Sequence, residues 1–128
     1  MSNFPQFTSV PHVVAMKLTT ANPNRDGTGV FGDVSFDAAD NGSRVDQAII
    51  KAAGATTAGM VRLFLVNGAK VVLQTEIIVD AVTPTPTNKS FETIVSFPDG
   101  LIVPKGFSFK ASTEKGEAIN VTLYGGDF

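Results

Sequence analysis

The chain has 128 residues, a formal net charge of −2 from ten basic and twelve acidic side chains, and neither cysteine nor tryptophan. That length suits one domain around one core, and the scattered charge gives no electrostatic footing for nucleic acid or an anionic membrane. Disulfides and thiolate metal sites are excluded, no apolar run approaches the roughly 20 residues of a spanning helix, and no leader pattern opens the chain.

In chain order, residues 1–12 (MSNFPQFTSVPH) carry two prolines with Phe4 and Phe7 and read as an extended N-terminal arm, leaving 13–128 as a single domain. Val13–Thr20 predicts a first strand, followed by a loop dense in turn formers over 21–29 (ANPNRDGTG). Val30–Phe36 reads as a short strand interrupted by Gly32, and 37–43 as an acidic turn. Arg44–Ala53 sets Ala48, Ile50 and Ala52 against Gln47 and Lys51, and its Ile49-Ile50 pair favours a strand over a short helix.

The stretch around which the rest is organised is Ala58–Val66, Asn67-Gly68 and Ala69–Val79. Asn-Gly between two apolar, β-branched runs is a strong hairpin signal. A two-residue Asn67-Gly68 turn would mix polar and apolar side chains on both faces. A three-residue loop over 66–68, bulged at a left-handed Gly68, instead aligns Val61, Leu63 and Leu65 with Ala69, Val71 and Leu73, and this register is the expected one. The opposite face then carries Arg62, Lys70 and Gln74 with Met60, Phe64 and Val72, which is too apolar to be wholly wetted. Something is expected to cover it.

Beyond the hairpin, 80–89 (DAVTPTPTNK) reads as an exposed proline-threonine loop. Phe91–Phe97 alternates Phe91, Thr93, Val95 and Phe97 against Glu92, Ile94 and Ser96. A tight turn at 98–100 leads to a short strand Leu101–Val103, then strands Phe107–Thr113 and Ala118–Tyr124. Eight or nine short strands and no helix longer than a turn or two define an all-β fold. The expectation is an antiparallel β-sandwich, jelly-roll-like among the Greek-key possibilities.

Chemistry-bearing motifs are sparse. Residues 27–32 (GTGVFG) match the glycine spacing of a dinucleotide loop, but a turn precedes them and a strand follows, where the mechanism needs a strand and then a helix. Asn22, Asn24, Asp26 and Asp33 fall at calcium-loop spacing with Gly27 at the sixth position. Asn in place of the first Asp, Asp in place of the final Glu, and absent flanking helices make an Asx-rich turn the better reading. The lone His12 sits in the arm, where a catalytic triad would not be held, and Asp37, Asp40 and Asp46 read as a solvated acidic turn. A sugar site would want aromatic platforms, and this chain has one tyrosine and ten phenylalanines at mostly core-like positions. No enzyme and no cofactor are expected.

Taken together, 20–29 (TANPNRDGTG), 41–44 (NGSR), 57–65 (TAGMVRLFL), 97–101 (FPDGL) and the final 124–128 (YGGDF) resemble small structural proteins of tailed bacteriophages. The likeness runs from about Thr19 to the C-terminus and is one of overall pattern. It implies a virion component made in the host cytoplasm and carried on the capsid exterior. A decoration or cement protein, often a β-rich homotrimer, would bind the major capsid protein. Under that reading Phe4, Phe7, Met60, Phe64 and Val72 are the expected contact residues. The alternatives are a tail, baseplate or fibre accessory protein, and a sugar- or calcium-binding sandwich.

Overall fold

The computed structural model describes residues 7–128, and every regular element in them is a β-strand. The strands are β1 (Val10–Leu18), β2 (Phe36–Asp37), β3 (Ser43–Ala52), β4 (Gly59–Asn67), β5 (Lys70–Val79), β6 (Glu92–Val103), β7 (Phe107–Thr113) and β8 (Ile119–Asp127). They form two four-stranded sheets, ordered β1-β8-β3-β6 and β2-β7-β4-β5, with every ladder antiparallel. The chain is therefore an antiparallel β-sandwich.

The pairing is nested. β4 pairs with β5, β3 with β6, β2 with β7 and β1 with β8, as in one long folded hairpin whose tip is β4–β5. The β3·β8 and β4·β7 ladders close that hairpin into two layers. Period-2 alternation fixes what lies between the layers. Met16, Leu18, Ala48, Ile50, Val121 and Leu123 face inward from one sheet, and Phe36, Val61, Leu63, Ile77, Phe109 and Ala111 from the other.

The central hairpin departs from the expected register. Asn67 pairs with Lys70, so the loop is the two-residue Gly68-Ala69, with Gly68 at φ +62° as the first position of a II′-type turn requires. The bulge lies further along: Leu63 pairs with Thr75 and Phe64 with Leu73, leaving Gln74 as the extra residue on β5. Leu65 thus stands opposite Val72 instead of Ala69, three residues from the expected register, and the bulge at Gln74 adds a fourth. Gln74 turns toward the space between the sheets, and Val72 lies opposite Leu65 instead of joining Phe64 on the outer face.

Other boundaries also move. Residues 10–12, expected in the arm, belong to β1 and pair with 125–127 of β8. Of Val30–Phe36, only Phe36 is in a strand. The expected turn at 98–100 is a wide bulge within a continuous β6: Leu101 faces Val45 and Ser96 faces Gln47, so four residues oppose the single Asp46. Asp99 (φ 64°) and Gly100 (φ 75°) are both left-handed there, which lets the strand resume its ladder without reversing direction.

Candidate functional site

The apolar outer face of the β4–β5 hairpin is covered around Phe64 from within the chain, while Ile78, opposite Met60, stays exposed. The β1–β2 loop crosses β7 and β4 to β5 and returns. It is tied down by Asn22 N donating to Thr113 O (2.8 Å), by Arg25 Nε donating to Glu76 Oε2 (2.8 Å) and by Gly32 N donating to Ala111 O (2.9 Å). Phe31 meets Phe64 edge-on at 5.3 Å between ring centroids, and Lys110 Nζ lies 5.5 Å from the Phe31 ring. Beneath this cover Phe64 is fully buried and Arg62 is 2 % exposed, its Nε donating to Glu76 Oε2 at 3.1 Å. Hydrogen bonds from Arg25 and Arg62 hold the Glu76 carboxyl below its ordinary value, against a desolvation that raises it.

The expected contact residues are therefore not gathered into one patch. Phe64 presents no surface to a partner, Met60 is half-buried, and Val72 is exposed at the β5 edge on the other side of the sheet. Phe7 is 79 % exposed, and Phe4 lies outside the described residues.

The calcium-loop residues serve the loop itself. Asn22 is buried; its Nδ2 donates to the carbonyls of Thr28 (3.0 Å) and Val30 (2.8 Å), and its Oδ1 accepts from Asn24 N. Asp26 Oδ1 accepts from Thr28 N and Oγ1, while Asp33 Oδ1 accepts from Lys17 N on β1. Among the described residues no group of three acidic or histidine side chains is placed to hold a metal ion. The glycine-rich 27–32 runs within the same loop, where Gly27 and Gly29 have positive φ and Gly29 packs directly on the Asn22 side chain.

One polar cluster was not legible from spacing. His12 Nδ1 donates to Asp127 Oδ1 (2.7 Å), which also accepts from Ser43 Oγ (2.6 Å), and the His12 ring stacks on Phe36 at 3.9 Å. Burial pushes the Asp127 carboxyl up, but the hydrogen bonds from Ser43 and His12, with the charge of His12, outweigh it and hold it below its ordinary value. The residue types are those of a hydrolase triad, yet the connectivity differs. Ser43 is bonded to the aspartate instead of the histidine and is wholly buried, so its hydroxyl is not poised as a nucleophile. The cluster ties β1, β3 and β8 together at the end of the sandwich where the chain enters.

Ile78, Val30 and Val34 remain exposed on the side of the β4–β5 hairpin, and further apolar surface lies on the opposite layer. The outward residues of β1-β8-β3-β6 form cross-strand rows, Pro11–Gly126–Arg44–Ile102, Val13–Tyr124–Gln47–Ser96 and Ala15–Thr122–Ile49–Ile94. Val13 (52 %), Tyr124 (38 %), Ile94 (56 %) and Ile102 (69 %) are exposed there. The signal was present in the alternation of 91–97, where Ile94 stands among the outward Glu92 and Ser96. The comparison with known sequences adds no relative: no protein-family model matches the chain, and no curated protein does.

Proposed function

We propose that this chain is a structural protein of a tailed-bacteriophage virion. In this reading it is a non-enzymatic decoration protein on the capsid exterior, a homotrimer that binds the major capsid protein and steadies the shell by bridging its subunits. The observation that carries this reading is that Val13, Tyr124, Ile94 and Ile102 are all exposed on one face of the β1-β8-β3-β6 sheet, interspersed with Arg44, Gln47 and Ser96, since apolar side chains rimmed by polar ones mark contacts. The nested strand order supports the finer reading of the sandwich as a jelly roll, two Greek keys in one chain. The exposed Phe7 beside the start of β1 supplies a further anchor. Weak contacts repeated over many copies hold a shell through avidity, so no single contact has to be strong.

The test is to purify particles, identify this chain by mass spectrometry and count it against the major capsid protein. Copies in the hundreds support decoration. Six or twelve copies would move the chain to the tail or baseplate, and absence from the particle would overturn the virion reading.

A further inference from the structure

We propose that Asn67, at the tip of the β4–β5 hairpin, is a site of spontaneous covalent modification, deamidating through a succinimide to aspartate and isoaspartate. The chain's other Asn-Gly pair, Asn41-Gly42, is protected from the same reaction by its hydrogen bonds. The inference is independent of the virion reading and can fail without it.

Glycine after asparagine favours this reaction because no Cβ shields the nitrogen that has to attack. The chain contains two such pairs. The glycine amide nitrogen, once it has lost its proton, attacks the asparagine Cγ. A Cγ–N bond forms, the Cγ–Nδ2 bond breaks, and ammonia leaves carrying the proton. Water then opens the ring at either carbonyl. Opening at Cγ gives aspartate, and opening at the main-chain carbon gives isoaspartate, whose backbone runs through one additional methylene. Nothing is oxidised or reduced, and water is the only co-reactant.

Two conditions select between the pairs. The nitrogen must be free of an acceptor, and the peptide joining the two residues must be able to turn until Cγ meets it. Asn67-Gly68 satisfies both. The two residues are exposed, and Gly68 N donates to no backbone carbonyl among the described residues. Nothing lies within 4 Å of where a Cβ on Gly68 would sit. The peptide that must turn is at the end of both ladders of β4, Asn67–Lys70 and Asn67–Phe107, where local opening costs least.

Asn41-Gly42 satisfies neither, although Asn41 is exposed as well. Gly42 N donates to Ala39 O (2.9 Å), and Gly42 O accepts from Phe128 N (3.1 Å). The adjoining Ser43 Oγ accepts from Ala39 N (2.9 Å), which closes the same turn a second time. Gly42 is buried, and a Cβ there would lie 3.2 Å from Val103 O. Freeing its nitrogen means opening the whole turn.

The test incubates the folded, full-length protein at mildly alkaline pH and then digests it with trypsin. Cleavage puts the two sites on separate peptides, 63–70 and 26–44, each with a single asparagine. Mass spectrometry should show 63–70 gaining one mass unit at least about tenfold faster than 26–44, the factor that one hydrogen bond of ordinary net strength represents. Part of the 63–70 product should accept a methyl group from an isoaspartyl methyltransferase. In the urea-unfolded chain the two rates should converge. Comparable rates in the folded protein, or a faster Asn41, would overturn the proposal. So would a difference that persists in urea, which would assign it to sequence alone, or an Asn67 that reacts only after unfolding, which would show the hairpin tip locked. A product without isoaspartate would overturn it too, since that would mean direct hydrolysis of the side chain.

Discussion

Phe31 stands edge-on to Phe64, 5.3 Å between ring centroids, and this contact between a loop and the middle of a strand takes Phe64 out of the solvent. Phe64 is fully buried only because the loop crosses it, whereas Phe31 keeps part of its surface in water. Phe64→Ala should therefore cost about 3–5 kcal/mol, the range for a buried aromatic, and Phe31→Ala about 1–2 kcal/mol. Urea unfolding of the two variants checks the order. Equal losses would mean that the loop contributes as much as the strand it covers.

Much of this architecture was legible in the chain, and the parts that were not share a cause. Phe107–Thr113 forms β7 with the expected bounds, and the inward sets of β3, β4 and β8 follow from alternation, because a regular strand repeats its side chains every second residue. A bulge breaks that rule without a local sign. Nothing in Leu73-Gln74-Thr75 marks Gln74 as the extra residue; the partner strand selects it. Pro98-Asp99-Gly100 does look like a turn, and only the ladder to β3 on both sides makes it a bulge. The cover over Phe64 arises from residues more than thirty positions earlier in the chain, beyond any local pattern. Of the expected contact residues that are described, Phe7 and Val72 are exposed, Met60 is half-buried and Phe64 is buried, while Val13, Tyr124, Ile94 and Ile102 come onto one face only through the pairing of four strands, which no local pattern shows.

Gly125 tests the bulge at Asp46. The extra residue on β3 drives the Arg44 carbonyl against β8, and a Cβ at Gly125 would overlap that carbonyl and crowd the Val45 backbone. Backbone cannot swing aside as a side chain can, so Gly125→Ala should cost about 3 kcal/mol, the upper end for overpacking. Gly54, with nothing within 4 Å, is the control, and Gly54→Ala should stay within about 0.5 kcal/mol of the parent. A tolerated Gly125→Ala would show that the β3–β8 ladder relaxes freely there.

Asp127 should give the protein an acid limb. Its carboxyl is held below the ordinary value when folded, so the folded state binds the proton less readily than the unfolded chain. The resulting stability is present above the unfolded value of about 3.9 and is lost as pH falls through the lower folded one. Urea midpoints measured from about pH 6 down to about pH 2.5 should fall less steeply in Asp127→Asn than in the parent. Parallel curves would mean that the hydrogen bonds from Ser43 and His12 do not distinguish the ionised form.

Glu76 joins an exposed arginine of the loop to a buried one of the strand. Arg25 is largely in solvent, and its ion pair with Glu76 is worth little by itself. Arg62 is 2 % exposed, and its Nη1 has no hydrogen-bond partner among the described residues, so Glu76 is the counter-charge that makes its burial tolerable. Arg25→Gln should lower the urea midpoint slightly, and Glu76→Gln much more, because the second change strands a buried charge. Adding Arg62→Met to Glu76→Gln should then recover part of the loss, since an apolar chain of similar length no longer needs the carboxylate. If Arg25→Gln proved as damaging as Glu76→Gln, the stabilising contact would be the pinning of the loop and not the neutralisation of Arg62.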